Sequence, residues 1–217
     1  MENTTDTYAE ILLETPIFTG WKKEYLTAFL NQSRYYIRSY KADSLIMIQG
    51  SECSYLSLLT EGKVNALLMN DEGKQVIIED MQAPRAIAPA ALFATESRYP
   101  VYIQSVTECK IFYIDKAQFE ELMHKEEVIM KNFIRLLSDK SIFLSKKINT
   151  FALQTLKERL VSYLKNNVEE RITQQELANR LGVTRPSLSR VLSELINEGT
   201  LSVENRKIFI NDKNKRQ

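Results

Sequence analysis

The stretch from Ile172 to Asn197, ITQQELANRLGVTRPSLSRVLSELIN, constrains the fold more than any other part of the chain, because it reads as two helices meeting at a short turn. In the first helix Thr173 stands at a capping position, Glu176 follows three residues later as in a capping box, and Leu177 and Leu181 share one face. Gly182 ends that helix where a positive φ is needed, and Ala178 is small where a second helix must cross close by. In the second helix Thr184 caps, and Pro186 falls in the first turn, where its missing N–H costs little. Leu188, Val191, Leu192 and Leu195 form its apolar stripe, leaving Arg185, Ser187, Ser189 and Arg190 on or beside the outward face. A tight helical corner with an arginine-bearing outer face has the shape that enters a DNA major groove. The plainer alternative is a helical hairpin that caps a core, its arginines solvated. Small residue, glycine turn and both stripes fall at the spacing such a corner requires, which weighs against it.

Gly199 closes the second helix, and Thr200–Ile210 reads as two short strands joined by a polar tip at Glu204, Asn205, Arg206 and Lys207. Helix-turn-helix plus hairpin is a winged helix. Its charge fits that reading: from Lys157 onward 12 Lys and Arg stand against 8 Asp and Glu, a balance of +4, while the preceding residues carry 17 against 20, or −3. A basic end on a near-neutral chain points to phosphate attraction confined to one domain. The tail 212–217 is expected to be disordered.

Upstream the pattern changes twice. Short helices are expected at Tyr8–Leu13 and Lys22–Leu30, on either side of the Pro16–Gly20 break. Apolar segments then recur at Tyr35–Tyr40, Ser44–Ile48, Leu56–Leu59, Val64–Met69, Gln75–Glu79, Val101–Val106 and Lys110–Ile114, with turn signals between several of them. Such spacing predicts an antiparallel sandwich or jelly roll. From Lys116 the period becomes helical. After a break near His124 a run without Pro or Gly carries Val128, Met130, Phe133, Leu137, Leu144, Ile148 and Phe151, mostly three or four apart. This apolar face exceeds what one small roll needs, so the run is read as a dimerisation helix, the alternative being a helix packed only on its own roll. The chain is therefore expected to be α+β: an antiparallel β-roll of the jelly-roll kind over 1–125, a dimerisation helix and connector over 126–150, and a winged helix-turn-helix over 151–217.

Several function classes are excluded or weakened by what the chain lacks. No apolar run approaches the roughly 20 residues of a membrane span, and the polar, acidic start is unlike a signal peptide, so the protein is expected in the cytoplasm. Cys53 and Cys109 stand far apart and form no Cys-x-x-Cys pair; buried thiols are expected. His124 is the one histidine, which argues strongly against a cupin-like metal site with several imidazoles, and Ser-His-Asp or Cys-His catalysis has no support unless His124 lies beside a nucleophile. No enzymatic activity is expected. A winged helix used only for protein contact is the remaining rival, and DNA binding that depends on Arg185 separates the two.

The order of β-roll, long helix and winged helix resembles the Crp/Fnr family of bacterial transcription regulators over nearly the whole chain. The motifs that carry the likeness are Ile48-Gln49-Gly50, Glu61-Gly62-Lys63-Val64, Asp71-Glu72-Gly73-Lys74 and, most specific, Leu177-Ala178-x-x-Leu181-Gly182-Val183-Thr184-Arg185-Pro186-Ser187-x-x-Arg190. The resemblance implies a cyclic-nucleotide-binding-like roll, a homodimer on double-stranded DNA, a small-molecule effector and RNA polymerase as a partner. It places base reading on Arg185 and Arg190 with Ser187 beside them, and phosphate contacts on Thr173, Gln174, Gln175, Thr184, Arg206 and Lys207. Where some members read cytosine with a glutamate, this chain has Pro186, so a different operator is implied.

The sensor half departs from that pattern. Members that bind cyclic AMP hold its phosphate with an Arg-Ser pair after a Gly-Glu-Leu segment; here the segment runs Arg85 to Ala94 as RAIAPAALFA and the pair falls on Tyr99-Pro100, with Arg98 one position away. Burying a phosphate without a cation is costly, so a cyclic nucleotide is not expected. The implied effector pocket is Ile87, Ala88, Pro89, Ala90, Leu92, Phe93, Tyr99 and Val101. Two cysteines cannot hold an iron–sulfur cluster of the Fnr kind. The apolar cassette is similar to that of a group of anaerobe regulators within the family, some of which respond to nitrosative stress through haem. If haem binds, His124, Met69, Met81 or a cysteine would be its ligand; a small apolar or aromatic molecule is the competing effector.

Overall fold

The computed structural model describes residues 4–71, 75–167, 172–204 and 207–211. Glu72, Gly73 and Lys74 of the turn motif, Asn205 and Arg206 of the wing tip, and the tail 212–217 lie outside them. The chain forms two compact units, the first running up to Leu67 and again over Glu79–Phe143, the second comprising Leu68–Ile78 and everything from Leu144.

The first unit opens with α1 (Thr4–Leu13), a 3₁₀ turn (Pro16–Phe18) and α2 (Lys23–Gln32). Helix α1 starts four residues earlier than the apolar pattern suggests, because Asp6 lies in its first turn and accepts a hydrogen bond from Thr27 Oγ1 at 3.2 Å. Strands β1 (Tyr35–Tyr40), β2 (Leu45–Met47), β3 (Tyr55–Glu61), β4 (Lys63–Met69) and β5 (Gln75–Gln82) follow, then β6 (Arg85–Ile87), α3 (Pro89–Leu92), β7 (Tyr102–Ser105) and β8 (Cys109–Asp115). They make two four-stranded sheets in the orders β1-β8-β3-β6 and β2-β7-β4-β5, the antiparallel roll that the spacing predicts. Strand β6 and helix α3 were not among the expected elements, since three residues before a proline give no period to detect.

Cross-strand rows set the two faces of the first sheet. Ile37, Phe112, Leu58 and Ala86 are in register on one face, and the ring of Tyr8 from α1 lies 5.4 Å from Phe112. Tyr36, Tyr113, Ser57 and Ile87 form the row on the other. Gly62 makes the β3–β4 turn possible: its φ is +86°, and a Cβ there would stand 2.2 Å from the carbonyl oxygen of Glu108.

Asp115 caps α4 (Lys116–Lys125), accepting from the backbone N–H groups of Ala117 and Gln118 at 3.0 and 3.3 Å. Glu126 is extended and breaks the helical run before α5 (Glu127–Leu153). Asn132 of α5 is buried yet satisfied, donating to the carbonyls of Ile17 and Thr19 at 3.1 and 2.8 Å. It therefore fixes α5 against the N-terminal turn. Phe93, Phe119 and Phe133 interlock with centroid distances of 5.3 to 6.3 Å, so the segment after α3 packs on both α4 and α5.

In the second unit α6 (Leu156–Asn166) begins with a full capping box between Thr155 and Glu158, and α7 (Gln174–Leu181), α8 (Arg185–Asn197), β9 (Leu201–Glu204) and β10 (Lys207–Ile210) follow. Its core is Leu160, Leu164, Leu177, Ala178, Leu181, Leu188, Leu192, Leu195 and Leu201. Among the described residues no helix is long and apolar enough to cross a membrane.

Candidate nucleic-acid interface and effector cassette

The helical corner forms as its sequence dictates. Thr173 accepts from the backbone N–H of Glu176 at 3.1 Å, and Gly182 adopts the left-handed conformation with φ +68° that ends α7. Any Cβ on Gly182 would also meet the Phe151 ring at 3.0 Å. Ala178 is fully buried, and Leu188, Leu192 and Leu195 turn inward while Val191 is half-buried. The corner is braced from α6. Arg159 donates to the Leu181 carbonyl at 2.8 Å with its guanidinium over the Phe151 ring, and Lys157 reaches Glu194 and Glu198 at 3.2 and 2.8 Å.

These contacts divide the basic residues of the unit. Lys157, Arg159 and Arg180, the last paired with Glu176 at 3.0 Å, hold the domain together. Arg185 and Arg190 are exposed on α8 and make no ion pair with any described residue. Two unpaired guanidiniums on an exposed helix, held by a buried leucine stripe, can offer bidentate donors to guanine edges or phosphates. Ser187, expected beside the two arginines, is exposed on α8 and also serves its cap. Its hydroxyl lies 2.9 Å from that of Thr184, and its backbone N–H donates to the same oxygen at 3.4 Å, so it belongs to the cap of α8. Thr173, Gln174, Gln175 and Thr184 are exposed at the starts of α7 and α8, where unsatisfied N–H groups favour anions. Gln174 borders a groove of about 420 Å³ with Ser189, Ile196 and Val203. Lys207 opens β10, while Arg206 lies outside the described residues.

The cassette packs as an apolar plug. Ile87, Pro89, Leu92 and Tyr99 are buried, Ala88, Phe93 and Val101 half-buried, and Ala90 exposed; Ala88 takes a left-handed turn with φ 44° to start α3. The Ser97 hydroxyl is surrounded by the carbonyls of Cys53, Leu92 and Ala91 at 2.9 to 3.3 Å. Both arginines that flank the cassette are engaged: Arg98 donates to the Gly50 carbonyl at 2.7 Å, and Arg85 pairs with Glu79 at 3.1 Å. Burial holds the Tyr99 phenol far above its ordinary range, so it is a neutral hydroxyl.

The donors named for haem do not fit one. His124 is exposed in the last turn of α4 and Met69 is exposed on β4, whereas Met81 is buried in the core. Burial pushes both the Cys53 and Cys109 thiols up, which keeps them protonated, although a haem ligand needs an available lone pair at the wall of an apolar slot. No group of three or more His, Cys, Asp or Glu among the described residues is disposed to hold a metal ion.

On α5, Phe133 is buried in its own unit's core and Leu137 is half-buried, while Met130, Leu144 and Ile148 are exposed and Phe151 is half-buried. Ile134 and Ile142, 55 and 56% exposed, add to that apolar surface and escaped the reading by period. Also missed was Glu79. It sits on the inward register of β5 with Ile77 and Met81, and a lone carboxylate at an apolar alternating position was the signal.

Comparison with known proteins follows the same division. A cyclic nucleotide-binding domain model matches residues 37–126, and a Crp-like helix-turn-helix domain model matches 152–215. The cAMP-activated global transcriptional regulator Vfr of Pseudomonas aeruginosa is 23% identical over 80% of this chain and 88% of its own length. The cAMP-activated regulator CRP of Salmonella typhimurium is 21% identical over 82% and 90%. Among solved structures, the c-di-GMP responsive regulator CLP of Xanthomonas campestris superposes with a TM-score of 0.74 at 19% identity, covering 88% of this chain and all of that one. The Thermus thermophilus catabolite activator protein gives 0.56 at 19%, covering 90 and 93%. These structural likenesses show the fold.

Proposed function

Because the chain belongs to the Crp/Fnr family and is a transcription regulator with a DNA-binding helix-turn-helix, we propose that it acts as a homodimer on a palindromic operator, under control of a small effector in the β-roll that is not a cyclic nucleotide. The observation that carries the DNA half is the pair Arg185 and Arg190, exposed and without an ion pair to any described residue, on a helix whose other face is buried. Each can discriminate a guanine by about 1–3 kcal/mol. Pro186 has no side-chain donor or acceptor between them, so the operator differs from one read through a glutamate at that place.

The homodimer is supported by the seam along α5. Met130, Ile134, Leu137, Ser141, Leu144, Ile148 and Phe151 alternate at steps of four and three, the heptad repeat of a two-stranded coiled coil. To enter successive major grooves of a palindromic site, the α8 helices of the two copies must sit about 34 Å apart. An effector that binds the DNA-competent arrangement more tightly than its alternative shifts the population toward it. RNA polymerase is the partner that such a regulator would recruit or block.

The effector reading rests on Tyr99, a neutral phenol where the family resemblance aligns the phosphate-binding pair, and on the engagement of Arg85 and Arg98 elsewhere. Relatives are cAMP-activated by name, so the test is direct. Selection of the purified protein against random duplexes should return a palindrome, and calorimetry with 3′,5′-cyclic AMP should show no heat of binding. Saturable cyclic AMP binding would overturn the effector reading, and selection of no common sequence would overturn the operator.

A further inference from the structure

The least ordinary group in the first unit is a carboxylate. Glu79 is a side chain only 7% exposed, on β5, and it accepts from two cations at once. One oxygen pairs with the Arg85 guanidinium at 3.1 Å and the other with the Lys140 ammonium. Arg85 opens β6, two residues ahead of Ile87 and on the same face, so it stands at the entrance to the cassette. Lys140 comes from α5, is itself only 21% exposed, and lies over the Phe143 ring at 5.2 Å. One buried carboxylate thus joins a sheet strand, the first residue of the cassette and the long helix.

A buried ion is costly to leave unpaired, and a carboxylate with both oxygens bonded to cations is the arrangement that avoids the cost. The same arrangement shuts the site to other anions. An incoming phosphate or carboxylate would have to displace an intramolecular group that is always present at high effective concentration. It would also leave Glu79 behind as an unpaired negative charge. Arg98 is turned to the Gly50 carbonyl, and the Lys116 ammonium lies over the Phe93 ring at 5.4 Å and donates to the Ser97 hydroxyl at 3.3 Å.

We propose that Glu79 is a built-in counter-anion for Arg85 and Lys140, so that neither of these cations is offered to an anionic ligand, the roll favours an uncharged one, and α5 stays fastened to the cassette without any ligand bound. This rests on the reading that the roll is the effector domain. An uncharged, largely apolar ligand matches the apolar character of Ile87, Leu92, Phe93 and the Tyr99 ring. Such a ligand would act by moving α3 and Phe93 against Phe133 of α5 rather than by bridging charges.

The test compares full-length wild type with Glu79→Gln and Lys140→Met. Glu79→Gln keeps the shape and frees both cations; it should gain saturable binding of inorganic phosphate, measured by calorimetry, where the wild type shows none. Hydrogen exchange of the α5 amides around Lys140 should quicken by about tenfold or more in both variants, a factor equal to roughly 1.4 kcal/mol. Amides of β3 and β8, which pair in the first unit's other sheet, report whether the variants are folded. Phosphate binding by the wild type, or α5 exchange unchanged in folded Glu79→Gln, overturns the proposal. Cyclic AMP binding by wild type without phosphate binding would instead strike the effector reading, and the two failures are distinguishable.

Discussion

Replacing Arg185 with alanine tests the DNA half most sharply, because the free protein offers that guanidinium nothing to lose. Arg185 is exposed at the first position of α8 and makes no ion pair with any described residue. The substitution should therefore leave folding stability within about 0.5 kcal/mol of wild type, as for an ordinary surface change. On DNA the loss appears twice, once in each half-site. At about 1–3 kcal/mol for each bidentate contact to guanine, a dimer loses about 2–6 kcal/mol, or between about 30-fold and 10⁴-fold in affinity. The assay is fluorescence anisotropy on the selected palindrome at two salt concentrations, with the half-site guanines replaced in parallel. Wild type should lose affinity on base replacement while Arg185→Ala is indifferent to it; a phosphate contact would instead weaken all sequences equally and reduce the salt slope by about one per contact. Affinity within twofold of wild type on the selected site would refute the assignment of base reading to Arg185.

Three other outcomes follow from the same geometry. Gly182→Ala must place a Cβ in a left-handed backbone 3.0 Å from the Phe151 ring, so thermal or urea unfolding should show a loss of about 1–3 kcal/mol or more. Ile148→Glu and Ile134→Glu put charge in the heptad seam, and sedimentation equilibrium should show dissociation to monomers whose thermal unfolding remains cooperative; an unaltered dimer would place the interface elsewhere. Burial raises the Cys53 and Cys109 thiols above their unfolded value, so the stability they contribute is fully present below about pH 8.5 and declines as pH rises through the folded pKa. Cys53→Ala should flatten that alkaline decline in urea-unfolding free energy, and an unchanged slope would assign it to other groups.

The winged domain was legible because its requirements are local. A capping threonine, a glycine with positive φ and leucines at helical spacing each act within a few residues, and Thr173, Gly182 and the Leu188 stripe stand where the sequence puts them. Ser187 also joins the cap of α8, a contact that helical period does not reveal. In the roll, strands were visible but partners were not. Glu79 becomes intelligible only once β5, β6 and α5 converge on it across 61 residues of chain. The same holds for α5, where Phe133 and Ile134 are adjacent apolar residues with opposite fates, one in the core and one exposed. Their difference depends on what packs against the helix, which the period does not carry.

If charge cannot carry a signal through a site that Glu79 has neutralised, packing must. The contact available for it is the aromatic triad. Phe93 follows α3 and meets Phe133 of α5 edge-on at 5.7 Å, while Phe119 of α4 touches both at 6.3 and 5.3 Å. Such pairs couple by about 0.5–1.5 kcal/mol beyond the area they bury. A double-mutant cycle of Phe93→Leu and Phe133→Leu, read by urea unfolding, should return a coupling energy in that range, because the residues share a direct edge-to-face contact. Leucine keeps the core filled well enough for the cycle to isolate the ring contact from cavity formation. Additivity within about 0.3 kcal/mol would mean that α3 and α5 are energetically independent. The cassette would then have no mechanical route to the helix, and an uncharged effector would have to act on α5 by touching it.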